Sequence, residues 1–472
     1  MKISIKLINT IPDKIKELSE LYKFEAKNNQ YLFTQDTLTL YVGTVYDKNP
    51  IETNDFDKTL YHTLGSNTLN KLPSEVKEIN IESNDVDELD IFNFVSGVKT
   101  SLFSYNFRDK SKIKKIKVTC DSKEISNEHK AIEKGIYFTK KVVDMNPFEL
   151  NPTTYVDILD QQFTNIKPWI KTTIIRNTEL EKLGMKMLTS VGRGSRHGAN
   201  LFIIEIEPID SEFTTHCLIG KGLTFDTGGV NIKENGGSFG MQDDMGGSAT
   251  VFGVATKLLN LEQPKNKKII ILSGIVENVT DGNSYLPGEI LENIAGQTSI
   301  IKNTDAEGRL TLSDVVAYAT INFKPDEIIT LATLTGAAIS SFTGFSSPIF
   351  SNNKTIRNQI YKSFLKNEEE AIEIDLPSSV YRTGIKDSTG RSDMSNTGSY
   401  PVTMGIRVAG SQTAAAFVMA AAQPKLYSKN KDGLNESYSI THIDIAGTVV
   451  DQKGNATGYG VRSLSDYLVN GK

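Results

Sequence analysis

From Pro152 onward the chain alternates short apolar runs with longer segments of helical periodicity, and few folds accommodate that order. The runs LFIIEIE (201–207), HCLIG (216–220), KIIILSGIV (268–276) and EIITLAT (327–333) have the length and β-branched content of buried strands. Residues 247–260, 308–322 and 409–422 carry apolar side chains at helical spacing. Strands that are apolar on both faces and separated by helices predict a largely parallel central sheet flanked by helices. Ligand sites in such sheets form at the carboxyl ends of the strands.

The first 125 or so residues have another texture, rich in Asn, Asp and Lys. Strand-like runs at 36–46 (DTLTLYVGTVY) and 114–119 (KKIKVT) accompany a helical stretch near 87–103. They predict a small α/β domain. Residues 127–146 have helical spacing and stop before Pro147, as expected where a proline pushes its predecessor out of the helical region. The expected organisation is an N-terminal α/β domain over 1–126, a connecting helix over 127–147 and a larger catalytic domain over 148–472. A length of 472 residues exceeds what a single core usually serves, which agrees with two domains.

Composition narrows the function. With 38% hydrophobic and 23% charged residues the chain is globular. A net charge of −5 argues against a protein that coats nucleic acid, whose electrostatic footprint is basic. Cys120 and Cys217 are far apart in apolar runs, so a disulfide framework is excluded and both are expected as free thiols, buried or partly so. The opening MKISIKLINTIPDK lacks the continuous apolar core of a signal peptide. The longest weakly polar stretch, 413–422, is about half of the ~20 residues a membrane span needs. A cytoplasmic protein with no membrane partner is expected.

Two strings follow strands and carry the chemistry: GKGLTFDTGGVNIKENGGSFGMQDDMGG (220–247) and NTDAEGRL (303–310). Both place carboxylates in glycine-rich turns. Asp and Gly are ordinary turn formers, but Asp226, Asp243, Asp244, Asp305 and Glu307 interleaved with Lys221, Lys233 and Arg309 also suit hard divalent cations, which want several carboxylate oxygens at one point. Without cations, carboxylates so placed would raise one another's pKa.

On these strings, together with TLTGA (333–337) and DIAGT (444–448), the chain resembles the leucyl aminopeptidases, the M17 metallopeptidases, over about residues 137–465. The resemblance implies a metal-dependent aminopeptidase that hydrolyses N-terminal residues, Leu and other apolar ones preferred, from peptide substrates. It implies two divalent metal ions per subunit, Zn²⁺ or Mn²⁺ with Mg²⁺ or Co²⁺ as alternatives. One would be held tightly by Lys221, Asp226, Asp244 and Glu307; the other, more exchangeable, by Asp226, Asp305 and Glu307. Lys233 would face the scissile carbonyl, and Arg309 would hold a bicarbonate-like anion serving as general base. Met241, Asn303, Thr333, Leu334, Gly336 and Ala446 would line the substrate site, with Val449 beyond Ala446. A homohexamer is implied as well. Lysine can ligate only as the neutral amine, so Lys221 in the metal-free protein is expected to be an ammonium paired with Asp226.

Other features are read structurally. Asp243 is expected to face outward from its turn, and GRGSRHG (192–198) to be a turn before the strand at 201. His197 and His442 lack an HExxH frame and are expected to be structural. The basic run RDKSKIKKIK (108–117) fits a strand edge protected by Lys, and nucleic acid is not an expected partner. A DNA-binding or regulatory assembly on the same fold is the alternative reading. A phosphoesterase would bring histidines to its metals and give Lys221 no role.

Overall fold

The computed structural model describes residues 1–471 apart from 36, 45–59, 84–85, 107–109, 122, 343, 399–401, 404–405, 408 and 424–436. Asp36, Val45 and Tyr46 of the run at 36–46, and Arg108 and Asp109 of the basic run, lie outside the described residues.

Strict alternation builds the first sheet. In β1 (Lys2–Ile8) the side chains of Ile3, Ile5 and Leu7 enter a core while the intervening residues face outward, because successive strand side chains point to opposite faces. With β2 (Tyr31–Thr34), β3 (Thr39–Gly43), β4 (Glu78–Ser83), β5 (Lys117–Cys120) and β6 (Lys123–Glu124) it forms a six-stranded sheet in the order β2-β3-β1-β4-β5-β6. Helices α1 (Tyr61–Leu69) and α2 (Glu88–Thr100) pack on it through Leu64, Phe94 and Val98. The helix expected near 87–103 is thus present and capped by Asp87, whose side chain accepts from the amide of Asp90.

Helix α3 (Asn127–Val143) follows, capped by Ser126. It ends at Val143, a few residues short of the expected boundary, because Asp144 already leads into the turn before Pro147.

The second sheet holds the site. Its strands are β7 (Ile170–Arg176), β8 (Asn200–Ile206), β9 (Thr214–Gly220), β10 (Gly222–Asp226), β11 (Lys267–Asn278), β12 (Glu327–Ala332), β13 (Ser347–Ser351), β14 (Ala371–Ile374) and β15 (Ser439–Asp444). They run in the order β14-β13-β15-β12-β9-β11-β8-β7, with β10 paired to β11. The central ladders β15-β12, β12-β9, β9-β11 and β10-β11 are parallel. The margins differ from the parallel expectation: β8 is antiparallel to β7 and β11, and β13 is antiparallel to β15.

Strand β11 shows why both faces must be covered. Ile269, Ile271 and Ile275 enter one core, shared with α4 (Gly246–Leu259), while Ile270, Leu272 and Val276 enter the other, shared with α5 (Gly308–Phe323) and α6 (Gly410–Ala420). Each such side chain stabilises the fold by roughly 1.5–3 kcal/mol when fully buried. Helix α7 (Val461–Asn470) closes the first of these cores through Leu464 and Leu468. The two sheet units touch: the amide of His62 donates to Oε2 of Glu368 at 2.7 Å, and Nδ2 of Asn93 to the carbonyl of Lys366 at 3.2 Å.

Candidate active site

The chemistry gathers where the parallel strands end. Lys221 sits between β9 and β10, Asp226 closes β10, Thr333 follows β12, and Asp244 lies in a 3-10 turn (Met241–Met245) that runs into α4. Glu307 caps α5, and Arg309 is in that helix's first turn. Helix N-termini favour neighbouring carboxylates, which places Asp244 and Glu307 well.

Asp226, Asp244 and Glu307 are all buried, and each contributes an oxygen to a group whose members lie within 4.8 Å of one another. Nζ of Lys221 lies 2.6 Å from Oδ1 of Asp244, 3.0 Å from Oε1 of Glu307 and 2.9 Å from the carbonyl of Thr333. Asp305 joins through Lys233, whose Nζ is 2.7 Å from Oδ2 of Asp226 and 2.5 Å from Oδ1 of Asp305. The expected pairing of Lys221 with Asp226 is therefore corrected. Lys221 pairs with Asp244 and Glu307, and the Asp226 carboxylate is taken by Lys233 from further along the same loop.

Burial works against every charge here, and the partners decide the outcome. Burial opposes the charge of Lys221, yet Asp244, Glu307 and Asp226 hold it well above its ordinary value. Burial opposes ionisation of Glu307, but Lys221 and Lys233 together bring it below the usual carboxylate range. Burial and then the adjacent Glu307 push Asp226 up to about 6. Four carboxylates (Asp226, Asp244, Asp305 and Glu307) face two ammonium groups, so negative charge is left over. Oδ2 of Asp244 is buried with no hydrogen-bond partner among the described residues. An oxygen-rich, under-compensated cluster with an orphaned carboxylate oxygen fits hard divalent cations.

The loops are braced by residues the sequence reading left out. Nδ2 of Asn278, at the end of β11, donates to Oδ1 of Asp226 at 2.7 Å and to the carbonyl of Thr304 at 3.0 Å, tying the two acidic loops together. Asn396 donates to the carbonyl of Asn303 at 2.6 Å. Asp444 accepts from the amides of Leu334 and Ala446 and from the hydroxyl of Thr335, drawing the TLTGA and DIAGT strings onto one rim. Gly308 has a steric reason: a Cβ there would lie 2.5 Å from Cε of Lys221. Of these, Asp444 opens the DIAGT string and Gly308 lies in NTDAEGRL, whereas Asn278 and Asn396 fall in no such string.

Of the expected substrate-lining residues, Thr333 touches the cluster, its hydroxyl donating to Oδ1 of Asp244 at 2.8 Å. The side chain of Asn303 accepts from the amide of Asp305 at 2.8 Å. Met241, Leu334 and Ala446 are half-buried on the same loops, and Gly336 is exposed at the start of a helix over Gly336–Phe342. Asp243 is half-buried rather than outward-facing, and burial pushes its carboxyl up to about 6.

The histidines stand apart from the cluster. His197 contacts Thr153 and Arg196, and His442 is buried within the sheet against Thr330, at 2.8 Å. Gly192–Gly194 forms a 3-10 turn before β8, as expected. Both cysteines are free, Cys217 buried and Cys120 partly so. Among the described residues no helix is long and apolar enough to cross a membrane.

The chain has relatives in sequence and in fold. The model of the cytosol aminopeptidase family, catalytic domain, matches residues 137–465. The chain is 33% identical over 349 residues to a probable cytosol aminopeptidase of Rickettsia bellii, a match that covers 72% of this chain and 64% of that relative. It is 32% identical over 396 residues to a probable cytosol aminopeptidase of Actinobacillus pleuropneumoniae, covering 80% and 73%. The matched part thus spans just under two-thirds of the Rickettsia relative's length. Among solved structures, the bottromycin maturation enzyme BotP in complex with Mn superposes with a TM-score of 0.81 over 99% of each chain at 20% identity, a likeness of fold.

Proposed function

The chain belongs to the cytosol aminopeptidase family, and from that premise we propose that it is a metal-dependent aminopeptidase removing N-terminal residues, Leu and other apolar ones preferred, from peptides. One observation carries the reading: buried Asp226, Asp244 and Glu307 converge within 4.8 Å, with Lys221 against two of them. Lys221, Asp226, Asp244 and Glu307 would hold one divalent ion, and Asp226, Asp305 and Glu307 the other. When bound, such ions, Zn²⁺ or Mn²⁺ with Mg²⁺ or Co²⁺ as alternatives, supply Lewis acidity and a water acidic enough to attack near neutral pH. Mn²⁺ is the first to test, since it is the metal in the similarly folded BotP.

The chain's own groups divide the remaining work. Lys221 would give up its proton to ligate. Lys233, once released from Asp226 and Asp305, would donate to the scissile carbonyl oxygen and stabilise the charge that develops there. Arg309, buried at the head of α5, offers a planar fork that matches a bicarbonate-like anion in two parallel hydrogen bonds. That places a proton acceptor beside the nucleophile and a donor beside the leaving amine. Thr333, held by Asp244, and Leu334 and Ala446, held by Asp444, would form one wall of the substrate site, with Met241, Asn303 and Gly336 around it. An α-amine ligates through its lone pair and an amide nitrogen does so poorly, which would restrict the enzyme to free N-termini.

Residues 148–472 would form the catalytic domain, joined through 127–147 to a domain over 1–126. A homohexamer and a cytoplasmic location belong to the same proposal and are supported by the family resemblance. Hydrolysis of leucine anilide with Mn²⁺ tests it: the rate should vanish on chelation and on N-acetylation of the substrate. Turnover of the acetylated compound would reject amine anchoring.

A further inference from the structure

A cavity of about 590 Å³ opens where the first sheet unit meets the second, away from the carboxylate cluster. Its walls come from α1 and the end of α2, from α3, from residues 368–370 and from the stretch 448–462. Cavities of this size at domain junctions are where small molecules usually bind.

The charged groups on these walls fall into two sets. Some are satisfied. The carboxylate of Glu369 accepts from the amides of Gly460 and Ser463 and from the Ser463 hydroxyl. Asp451 is engaged by the backbone amides of Lys453 and Asn455.

Others are not. Arg462 is only 3% exposed, its Nε lies 3.8 Å from the already committed Glu369, and its Nη1 is buried with no hydrogen-bond partner among the described residues. Lys140 makes no ion pair among the described residues, and its ammonium lies 5.8 Å from the ring centroid of Phe103. Glu370, half-buried, has a side chain with no hydrogen bond or ion pair among the described residues; its carbonyl accepts from the hydroxyl of Tyr459 and the amide of Ser347. Burial disfavours the charged form of all three. Ile136 and Val450 supply apolar wall between them. A buried donor left without a partner is costly, and this cavity holds under-satisfied groups of both signs.

We propose that this cavity is a second binding site for an amphoteric ligand bearing both an amine and a carboxylate, a free amino acid or a short peptide, with Arg462 and Lys140 receiving the carboxylate and Glu370 the amine. A ligand of one sign alone would leave the groups of the opposite sign unpaired. The site is also placed to matter. Thr448 and Val450 line the cavity, whereas Ala446, four residues before Val450, is held by Asp444 on the rim of the carboxylate cluster. Val449 between them packs against Gly246 at the head of α4, where a Cβ would lie 2.2 Å from its Cγ2. A single strand of chain therefore separates the two sites, and occupancy of one should change the KM of the other.

Equilibrium dialysis of the full-length Mn²⁺-loaded protein with labelled leucine, and separately with a leucyl dipeptide whose amide is reduced to a methylene-amine, tests the assignment. A binding stoichiometry of two per chain is expected for at least one of these probes, and which one identifies the source. Glu370→Gln and Lys140→Gln, whose side chains make no ion pair among the described residues, should each weaken the second site about tenfold or more while sparing the first, as should adding the pair to Arg462→Lys. Leucinamide and N-acetyl-leucine should each fail to fill it. A stoichiometry of one with both probes, or a second site unmoved by Glu370→Gln and Lys140→Gln, or one filled equally by leucinamide, would overturn the proposal.

Discussion

The ammonium of Lys221 is seated 2.6 Å from Oδ1 of Asp244 in a pocket where both side chains are almost wholly buried. Removing one partner from such a pair leaves an uncompensated buried charge, at a cost of about 3–5 kcal/mol. Lys221→Met should therefore lower the thermal midpoint of the chelated protein strongly. Added Mn²⁺ should recover more of that loss in the variant than it adds to wild type, because cations would neutralise the carboxylates left without the ammonium. Equal shifts with and without Mn²⁺ in calorimetry would count against a cation site there.

Gly308 provides a steric probe of the same lysine. With a Cβ at that position 2.5 Å from Cε of Lys221 and 2.8 Å from Nζ, Gly308→Ala must push the ammonium aside while leaving every polar group in place. A displacement of this order costs about 100-fold in turnover when it moves a catalytic group. The expected result is a large loss of kcat for leucine anilide with a far-ultraviolet spectrum like wild type's. Unchanged kcat would show that Lys221 has no part in turnover.

Asn278 is not among the residues expected to line the substrate site, yet its amide bridges Asp226 and the carbonyl of Thr304. Groups that orient metal ligands typically contribute 10–100-fold to metal affinity or activity. Asn278→Ala should weaken Mn²⁺ binding by about that range, measured by titration calorimetry, and excess Mn²⁺ should restore much of the rate. Wild-type Mn²⁺ affinity in the variant would reduce Asn278 to a packing role.

Away from the site, Asp314 in α5 is fully buried, and its carboxylate accepts from the amides of Leu188 and Ile294. Burial pushes its carboxyl up to about 7, although those amides favour the anion. The folded protein then keeps a proton that the unfolded chain, with an ordinary carboxyl near 3.9, releases. Stability from this group is present at low pH and declines as pH rises from about 4 through 7, by at most about 1.4 kcal/mol per pH unit. Urea melts of wild type minus Asp314→Asn should show that slope. A difference that grows with rising pH would reverse the assignment.

Much of this architecture was legible in the residues. The apolar runs of β8, β9, β11 and β12 and the helices α4, α5 and α6 lie within a few residues of where periodicity put them, since strands buried on both faces leave an unbroken apolar signature. Asp226, Asp244 and Glu307 stood out because carboxylates amid glycines, directly after strands, are seldom mere turns in such number. The antiparallel margins at β7, β8 and β13 left no mark, because direction is not encoded in an apolar run. Asn278, Asn396 and Asp444 were missed for a related reason: a single polar residue at a strand end resembles any turn former until its partner, distant in sequence, is placed beside it. The pairing of Lys221 with Asp244 rather than Asp226 depended on the loop after β10 folding back to set Lys233 against Asp226, which spacing alone does not convey.

Titration of metal-free protein with Mn²⁺, read by calorimetry alongside elemental analysis, bears on the carboxylate pair of sites without reference to any substrate. Wild type should take up two ions per chain, and Glu307→Gln, with the fold retained, should lose uptake at both. Wild type that binds no ion, or a Glu307→Gln variant that still binds two with undiminished affinity, would contradict a centre built on Asp226, Asp244, Asp305 and Glu307.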